Sequence, residues 1–295
     1  MRPPGPRPIS ALALAGALLG AAGPAFGQAA PGTDVFMVEV RREAGRLTLG
    51  TPVNLTARPG YDNQPAFSAD GEALYYTTIG ADGHADVCRI RLADRIRRCW
   101  ETTPESEYSA ADAPMGGVSV VRVERDSTQR LWRLADSGDP ELLLPNLAPV
   151  GYYAWLDASR VVAFVLGSPP TLVLADLRTR EHRVLASDVG RSIQRAPAGG
   201  VSYLQRDGAA WLVRRYDPGS GATLAVARGL DGSDFHAWLP DGTLLMAVRN
   251  RVFAWDRGDW QEVAGFADAA HQQISRLATS PDGRWLAFVS QEPAP

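Results

Sequence analysis

The sequence contains no lysine; all 30 of its basic residues are arginine. Schiff-base catalysis and the Walker phosphate loop both need a lysine amine, so both are excluded. The formal net charge of −3 leaves no broad basic face, so nucleic acid is not an expected partner. Cysteine is scarce, at two residues, and two thiols cannot complete a four-ligand zinc site. The four histidines, His84, His182, His236 and His271, form neither His-x-x-x-His nor the zinc-protease motif. Beyond residue 27 no apolar run is long enough to span a bilayer. With 45% hydrophobic and 21% charged residues, the chain is apolar enough to fold. Its 29 glycines and 22 prolines favour a turn-rich architecture over a helical bundle.

Residues 1–27 read as a secretory signal. Arg2 and Arg7 precede an apolar run over residues 9–22, and small residues follow at Ala25 and Gly27. The run is shorter than the ~20 residues of a membrane span, which argues against an uncleaved anchor. Cleavage is expected near Gly27 or Ala29, followed by a linker over residues 28–33 and a single domain over 34–292. The expected location is periplasmic or secreted, and the expected state is a monomer.

Cys88 and Cys99 lie on two alternating segments joined around Ala93-Asp94. A two-residue hairpin there puts them opposite each other, as a disulfide requires. An oxidising compartment favours the bridge; a slipped register would leave two buried thiols.

The rest is repetitive. Phe67-Ser68-Ala69-Asp70-Gly71 returns as Trp238-Leu239-Pro240-Asp241-Gly242 and as Thr279-Ser280-Pro281-Asp282-Gly283. Weaker copies follow Trp155 or keep the turn as Gly116-Gly117 and Gly199-Gly200. Turn residues at 70, 116, 158, 199, 241 and 282 give intervals of 46, 42, 41, 42 and 41. A period near 42 residues holding four short strands is one propeller blade. The glycine supplies the positive φ of a tight hairpin. The last copy has only two strands before the chain ends, while residues 34–40 and 51–55 are two strands without a blade. Adding those to the last blade closes an all-β, six-bladed propeller of four-stranded antiparallel blades. Trp155 and Trp238 fall at the repeat position of Phe67, which predicts packing between blades rather than a sugar-binding surface.

The Ser280-Pro281-Asp282-Gly283 motif, with its copy Ser68-Ala69-Asp70-Gly71, resembles the Pro-Asp-Gly signature of TolB-like propellers. The resemblance extends over about residues 34–290 and is strong in three blades. It implies a periplasmic propeller that binds other envelope proteins. TolB also carries an α/β domain ahead of its propeller, and the repeats here begin at Asp34. Related propellers cap serine peptidases, but the Gly-x-Ser-x-Gly elbow of that chemistry is missing.

Function is sought at one end of the axial channel. A propeller aims the start of each innermost strand at a common mouth, and the segments before the turns are polar and differ from blade to blade. Glu107, Tyr108, Tyr152, Arg191, Asp234, His236 and His271 are the candidate ligand-binding residues. Three functions suit them. The first is non-enzymatic binding of an envelope protein, a peptide or a small polar ligand, with no cofactor. The second is a metal-dependent hydrolase or lyase using Glu107, Asp234, His236 and His271 around a channel metal ion. The third is a scaffold that presents its rim. If the mouth is hydrated, alanine at Glu107 and Asp234 should cost little stability.

Overall fold

The computed structural model describes residues 32–100, 103–135, 139–267 and 273–291. The expected signal segment and His271 lie outside the described residues. β1 (Thr33–Glu43), β2 (Arg46–Leu49) and β3 (Val53–Asn54) lead the chain. Blade 1 is β4 (Asp62–Phe67), β5 (Ala73–Ile79), β6 (Ala85–Arg91) and β7 (Arg97–Trp100). Blade 2 is β8 (Ser106–Asp112), β9 (Val118–Val123), β10 (Gln129–Leu134) and β11 (Glu141–Leu142). Blade 3 is β12 (Val150–Trp155), β13 (Arg160–Val165), β14 (Thr171–Asp176) and β15 (His182–Ser187). Blade 4 is β16 (Val189–Arg195), β17 (Val201–Asp207), β18 (Ala210–Tyr216) and β19 (Thr223–Arg228). Blade 5 is β20 (His236–Trp238), β21 (Leu244–Val248), β22 (Arg251–Asp256) and β23 (Asp259–Gly265). Blade 6 ends the chain with β24 (Ile274–Thr279) and β25 (Trp285–Gln291). Every ladder is antiparallel, and the six sheets form a six-bladed propeller.

Closure joins the two ends. β1 pairs with β25 from Thr33 opposite Gln291 to Glu39 opposite Trp285. The outer edge of β1 is covered twice, by β2 over Val40–Glu43 and by β3 at Phe36 and Met37. The outer strand therefore starts at Arg46, five residues before the segment expected from the sequence (51 − 46). Ala44 and Gly45, both at positive φ, make the turn that begins it. Arg42 reaches from this hairpin to Asp241 and to Thr243 Oγ1 (2.7 Å) in the turn of blade 5.

Each second strand is apolar on both faces because a blade is buried on both sides. Its alternation divides the apolar core into a cluster at every junction. Val120 packs towards blade 1 and the adjacent Val121 towards blade 3. Phe36 and Val38 face blade 5, whereas Val35 faces blade 1. A one-residue slip would exchange the two sets, so register is held at every junction.

The repeated turns have a common physical basis. Ser68 Oγ donates to Asp70 Oδ1 (2.6 Å) and accepts from the Ala73 N–H (2.9 Å), while Asp70 Oδ1 accepts from the Glu72 N–H (2.9 Å). Ser280 and Asp282 repeat the arrangement at 2.6, 2.9 and 3.0 Å. The blades with Gly-Gly turns need the second glycine for space. A Cβ on Gly117 would meet the Leu134 carbonyl oxygen, and one on Gly200 the Tyr216 carbonyl oxygen. Cys88 pairs with Cys99 across β6 and β7, with Cα atoms 3.9 Å apart, and the two form a disulfide.

Candidate functional site

The innermost strands begin irregularly. β4, β8 and β24 each carry a bulge near the start, at Asn63/Ala66, Tyr108/Ala111 and Ser275/Leu277. Within each bulge one non-glycine residue takes a left-handed backbone: Gln64 (φ 57°), Ser109 (φ 56°) and Arg276 (φ 49°). Each lies seven residues before the first glycine of its turn, so the bulge belongs to the repeat (71 − 64, 116 − 109, 283 − 276). In blades 1 and 2 the two residues tie neighbouring blades, with the Ser109 N–H donating to Gln64 Oε1 at 2.7 Å.

In blade 6 the same position carries an arginine that crosses the axis. Arg276 Nη2 donates to the Tyr152 hydroxyl at 2.9 Å. Tyr152 belongs to blade 3, which stands opposite blade 6. The guanidinium lies 4.9 Å from the centre of the Tyr152 ring and 4.1 Å from that of Phe235 in blade 5, within cation–π range. Burial pushes the Tyr152 phenol up, but Arg276 and Arg191 outweigh it through charge and hydrogen bonding, and the phenol is left below its usual range. Tyr61 of blade 1 belongs to the same field. Burial pushes its phenol up to about 12, opposed by Arg276 and reinforced by Tyr152 and Tyr108. Burial also raises Tyr108 of blade 2, with Ser106 opposing. Every blade thus contributes: Tyr61, Tyr108, Tyr152, Arg191, Phe235 and Arg276. Beside them, Asp234, Phe235, Gln273, Ser275 and Arg276 line a small cleft of about 70 Å³, open to solvent, between blades 5 and 6.

Of the residues expected at the mouth, Tyr108, Tyr152 and Arg191 interact through Tyr152, and Asp234 is exposed in the adjoining cleft. Two others are packed between blades. His236 is fully buried, with Nδ1 2.9 Å from Ser192 Oγ and Nε2 2.7 Å from Ser202 Oγ. Ser202 Oγ also accepts from Trp238 Nε1 (2.7 Å) and faces the Gln194 carbonyl (3.4 Å). Both ring nitrogens of His236 are thus engaged by serine hydroxyls, one donating and the other accepting. Burial holds the imidazole neutral, at about 3.

Blade 3 has the same lock. Trp155 Nε1 donates to Ser119 Oγ (2.9 Å), and the Tyr153 hydroxyl contacts Ser119 Oγ (2.8 Å) and the Ser119 carbonyl (2.6 Å). Ser119 and Ser202 each stand three residues after the first glycine of a Gly-Gly turn, where blades 1, 5 and 6 have Leu74, Leu245 and Leu286. The smaller residue admits the next blade's tryptophan. His236 is thus the counterpart of Tyr153, and both ring nitrogens are engaged in joining blades.

Glu107 is buried beside Arg122, with Oε1 3.0 Å from Arg122 Nε and accepting from Thr103 Oγ1 at 2.5 Å. The Arg122 contact is an ion pair off the hydrogen-bond direction, and among the described residues Glu107 Oε2 has no hydrogen-bond partner. Burial raises the carboxyl to about 7, against the pull of Thr103 and Arg122. The hydrated setting expected for Glu107 is therefore corrected: its surroundings are protein.

Arg276 escapes the sequence reading because the phase slips in blade 6, and Phe235 because it is an apolar residue between the polar Asp234 and His236. His271 lies 11 residues before Asp282, whereas Tyr152 lies six before the turn residue of blade 3 (282 − 271, 158 − 152). The same offset in blade 6 gives Arg276. Among the described residues no three His, Cys, Asp or Glu side chains cluster as metal ligands.

No family model matches the chain, and no curated protein matches it in sequence. Solved structures match its fold. A protein assigned as TolB from Agrobacterium tumefaciens aligns with a TM-score of 0.68 at 16% identity, covering 90% of this chain and 100% of that chain. The chain resembles a TolB-like six-bladed propeller in fold. A gluconolactonase from Xanthomonas campestris aligns at 0.61 and 12% identity, covering 90% and 99%. Oligogalacturonate lyase in complex with manganese aligns at 0.55 and 15%, covering 84% and 83%. Binding proteins and enzymes share the architecture, so chemistry has to be argued from the site.

Proposed function

We propose that this TolB-like propeller is a non-enzymatic binding or interaction protein of the periplasm or the secreted fraction. It takes an envelope protein, a peptide or a small polar ligand at the axial mouth. The observation that carries this reading is the Arg276–Tyr152 hydrogen bond across the axis, between blades far apart in sequence. Blade-to-blade locks serve the fold, whereas a polar bond across the channel, beside an open cleft, presents groups to a ligand. The Cys88–Cys99 disulfide and the signal-like segment support export. A metal-dependent hydrolase or lyase draws less support, because His236 is engaged by two serines and Glu107 by Arg122.

Capture from envelope extract tests the reading. The wild type is compared with Asp234→Trp, which fills the cleft, and Met115→Trp, in the turn at the opposite end of blade 2. A partner held by the wild type and Met115→Trp but lost by Asp234→Trp is expected. Equal retention by all three proteins would overturn the mouth as the site.

A further inference from the structure

Two guanidinium groups, those of Arg276 and Arg191, act on the Tyr152 phenol at the mouth. Among the described residues neither Arg191 nor Arg276 forms an ion pair, while arginines elsewhere, such as Arg58 with Asp62 and Arg130 with Glu124, do. Arg276 is half-buried and Arg191 exposed. Together they bring about ten N–H donors, and a phenol oxygen has two lone pairs for them. Two like charges on one neutral acceptor repel, and partial burial sharpens the repulsion. The rest of the setting favours a ligand with a flat or apolar body. Phe235 and Tyr152 present ring faces to the guanidinium, and Asp234, Gln273 and Ser275 line the open side.

We propose that Arg191 and Arg276, spaced by the Tyr152 hydroxyl, form an anion clamp that receives a carboxylate or phosphate group of the bound ligand. The clamp rests on the mouth being the binding site and adds the charge of what enters it. An anion supplies the missing acceptors, can accept in bidentate fashion from a guanidinium, and neutralises the pair. The left-handed residue of the bulge is a device of three blades, and only blade 6 uses it to carry a charge. Among the described residues Asp234 is the one carboxylate lining the cleft, so it selects against ligands with negative charge on that side.

Thermal unfolding of the full exported chain in sodium phosphate, sodium acetate and sodium chloride, at equal ionic strength, tests the clamp. A ligand that binds only the folded state raises the midpoint in proportion to ln(1 + [L]/Kd). The wild type should melt higher in phosphate or acetate than in chloride. Arg191→Ala, at an exposed position, and Arg191→Ala/Arg276→Ala should each weaken the apparent Kd at least about tenfold, whereas Arg125→Ala on the exposed surface should leave it unchanged. A larger response to phosphate assigns a phosphoryl group, and a larger response to acetate a carboxylate. No rise over chloride in the wild type, or an equal rise in the Arg191→Ala variants, would overturn the clamp. Loss of partner capture in Asp234→Trp together with anion-independent melting would reject the clamp and leave the binding site standing. Capture unaffected by Asp234→Trp would reject the site itself.

Discussion

Replacing Ser202 by alanine removes one hydroxyl and leaves two ring nitrogens without it. His236 Nε2, fully buried, and Trp238 Nε1–H, partly buried, both lose their hydrogen-bond partner. A buried polar group left unpaired costs about 1–3 kcal/mol, and a partly exposed one less, so Ser202→Ala should lose about 2–4 kcal/mol. The twin change Ser119→Ala should cost about 1 kcal/mol less. There only Trp155 Nε1 is stranded, because the Tyr153 hydroxyl keeps the Ser119 carbonyl at 2.6 Å. The pair can be separated from general damage by a cycle. His236→Phe in the Ser202→Ala background removes the unpaired ring nitrogen, so the double variant should be about 1–2 kcal/mol more stable than additivity predicts. Urea unfolding at neutral pH measures all four proteins, and an unchanged m-value is expected. Additive losses, or a Ser202→Ala cost under about 0.5 kcal/mol, would refute the lock.

His236 also sets a pH dependence. Its folded value near 3 lies below the usual 6.5, so the unfolded chain takes up a proton that the folded one refuses. Stability from this residue is complete above pH 6.5 and falls as the pH drops towards 3, by up to about 1.4 kcal/mol per pH unit; His236→Phe should remove that slope in denaturant titrations. Glu107 acts with the opposite sign: its carboxyl is raised from 4.5 to about 7, so its contribution is lost as the pH rises through that window. Glu107→Ala should cost about 1–3 kcal/mol, because Thr103 Oγ1 and Arg122 lose their buried partner, and an unchanged melting temperature would refute that pairing. Removing residues 34–55 should leave the chain unable to fold. It strips Val35, Phe36, Met37 and Val38 from two junctions, a loss of about 6–12 kcal/mol, comparable with the whole stability of a domain. A soluble truncated protein with the wild-type melting temperature would contradict the closure.

The fold was legible because its turns are written in side chains. Ser68-x-Asp70-Gly71 and Ser280-x-Asp282-Gly283 hold the hairpin through hydroxyl and carboxylate bonds to the backbone, so the motif recurs wherever the hairpin does. The unpaired strands at the two ends implied closure by the same edge-pairing logic. Trp155 and Trp238 were legible as inter-blade packing from their repeat position. The site was less legible because a bulge shifts phase without marking the sequence. Arg276 sits where two neighbouring blades have Gln64 and Ser109, and nothing in Arg-Leu-Ala-Thr announces a residue that crosses the axis. Polarity alone also failed to separate hydrated from buried groups. Glu107 and Tyr108 are adjacent in β8, and alternation sends the carboxylate to Arg122 and the tyrosine ring towards the junction with blade 3.

Site-specific photo-crosslinking in the envelope tests the location of the binding surface most directly. A photoreactive phenylalanine analogue is placed at Asp231 beside the cleft-lining Gly232, at Met115 in a turn at the other end of the blades, and at Leu224 on an outer strand, all exposed positions. Adducts are then mapped by mass spectrometry. Binding at the axial mouth predicts adducts from position 231, suppressed by Arg191→Ala/Arg276→Ala, and none above background from 115 or 224. Adducts confined to 115 or 224, with none from 231, would contradict it.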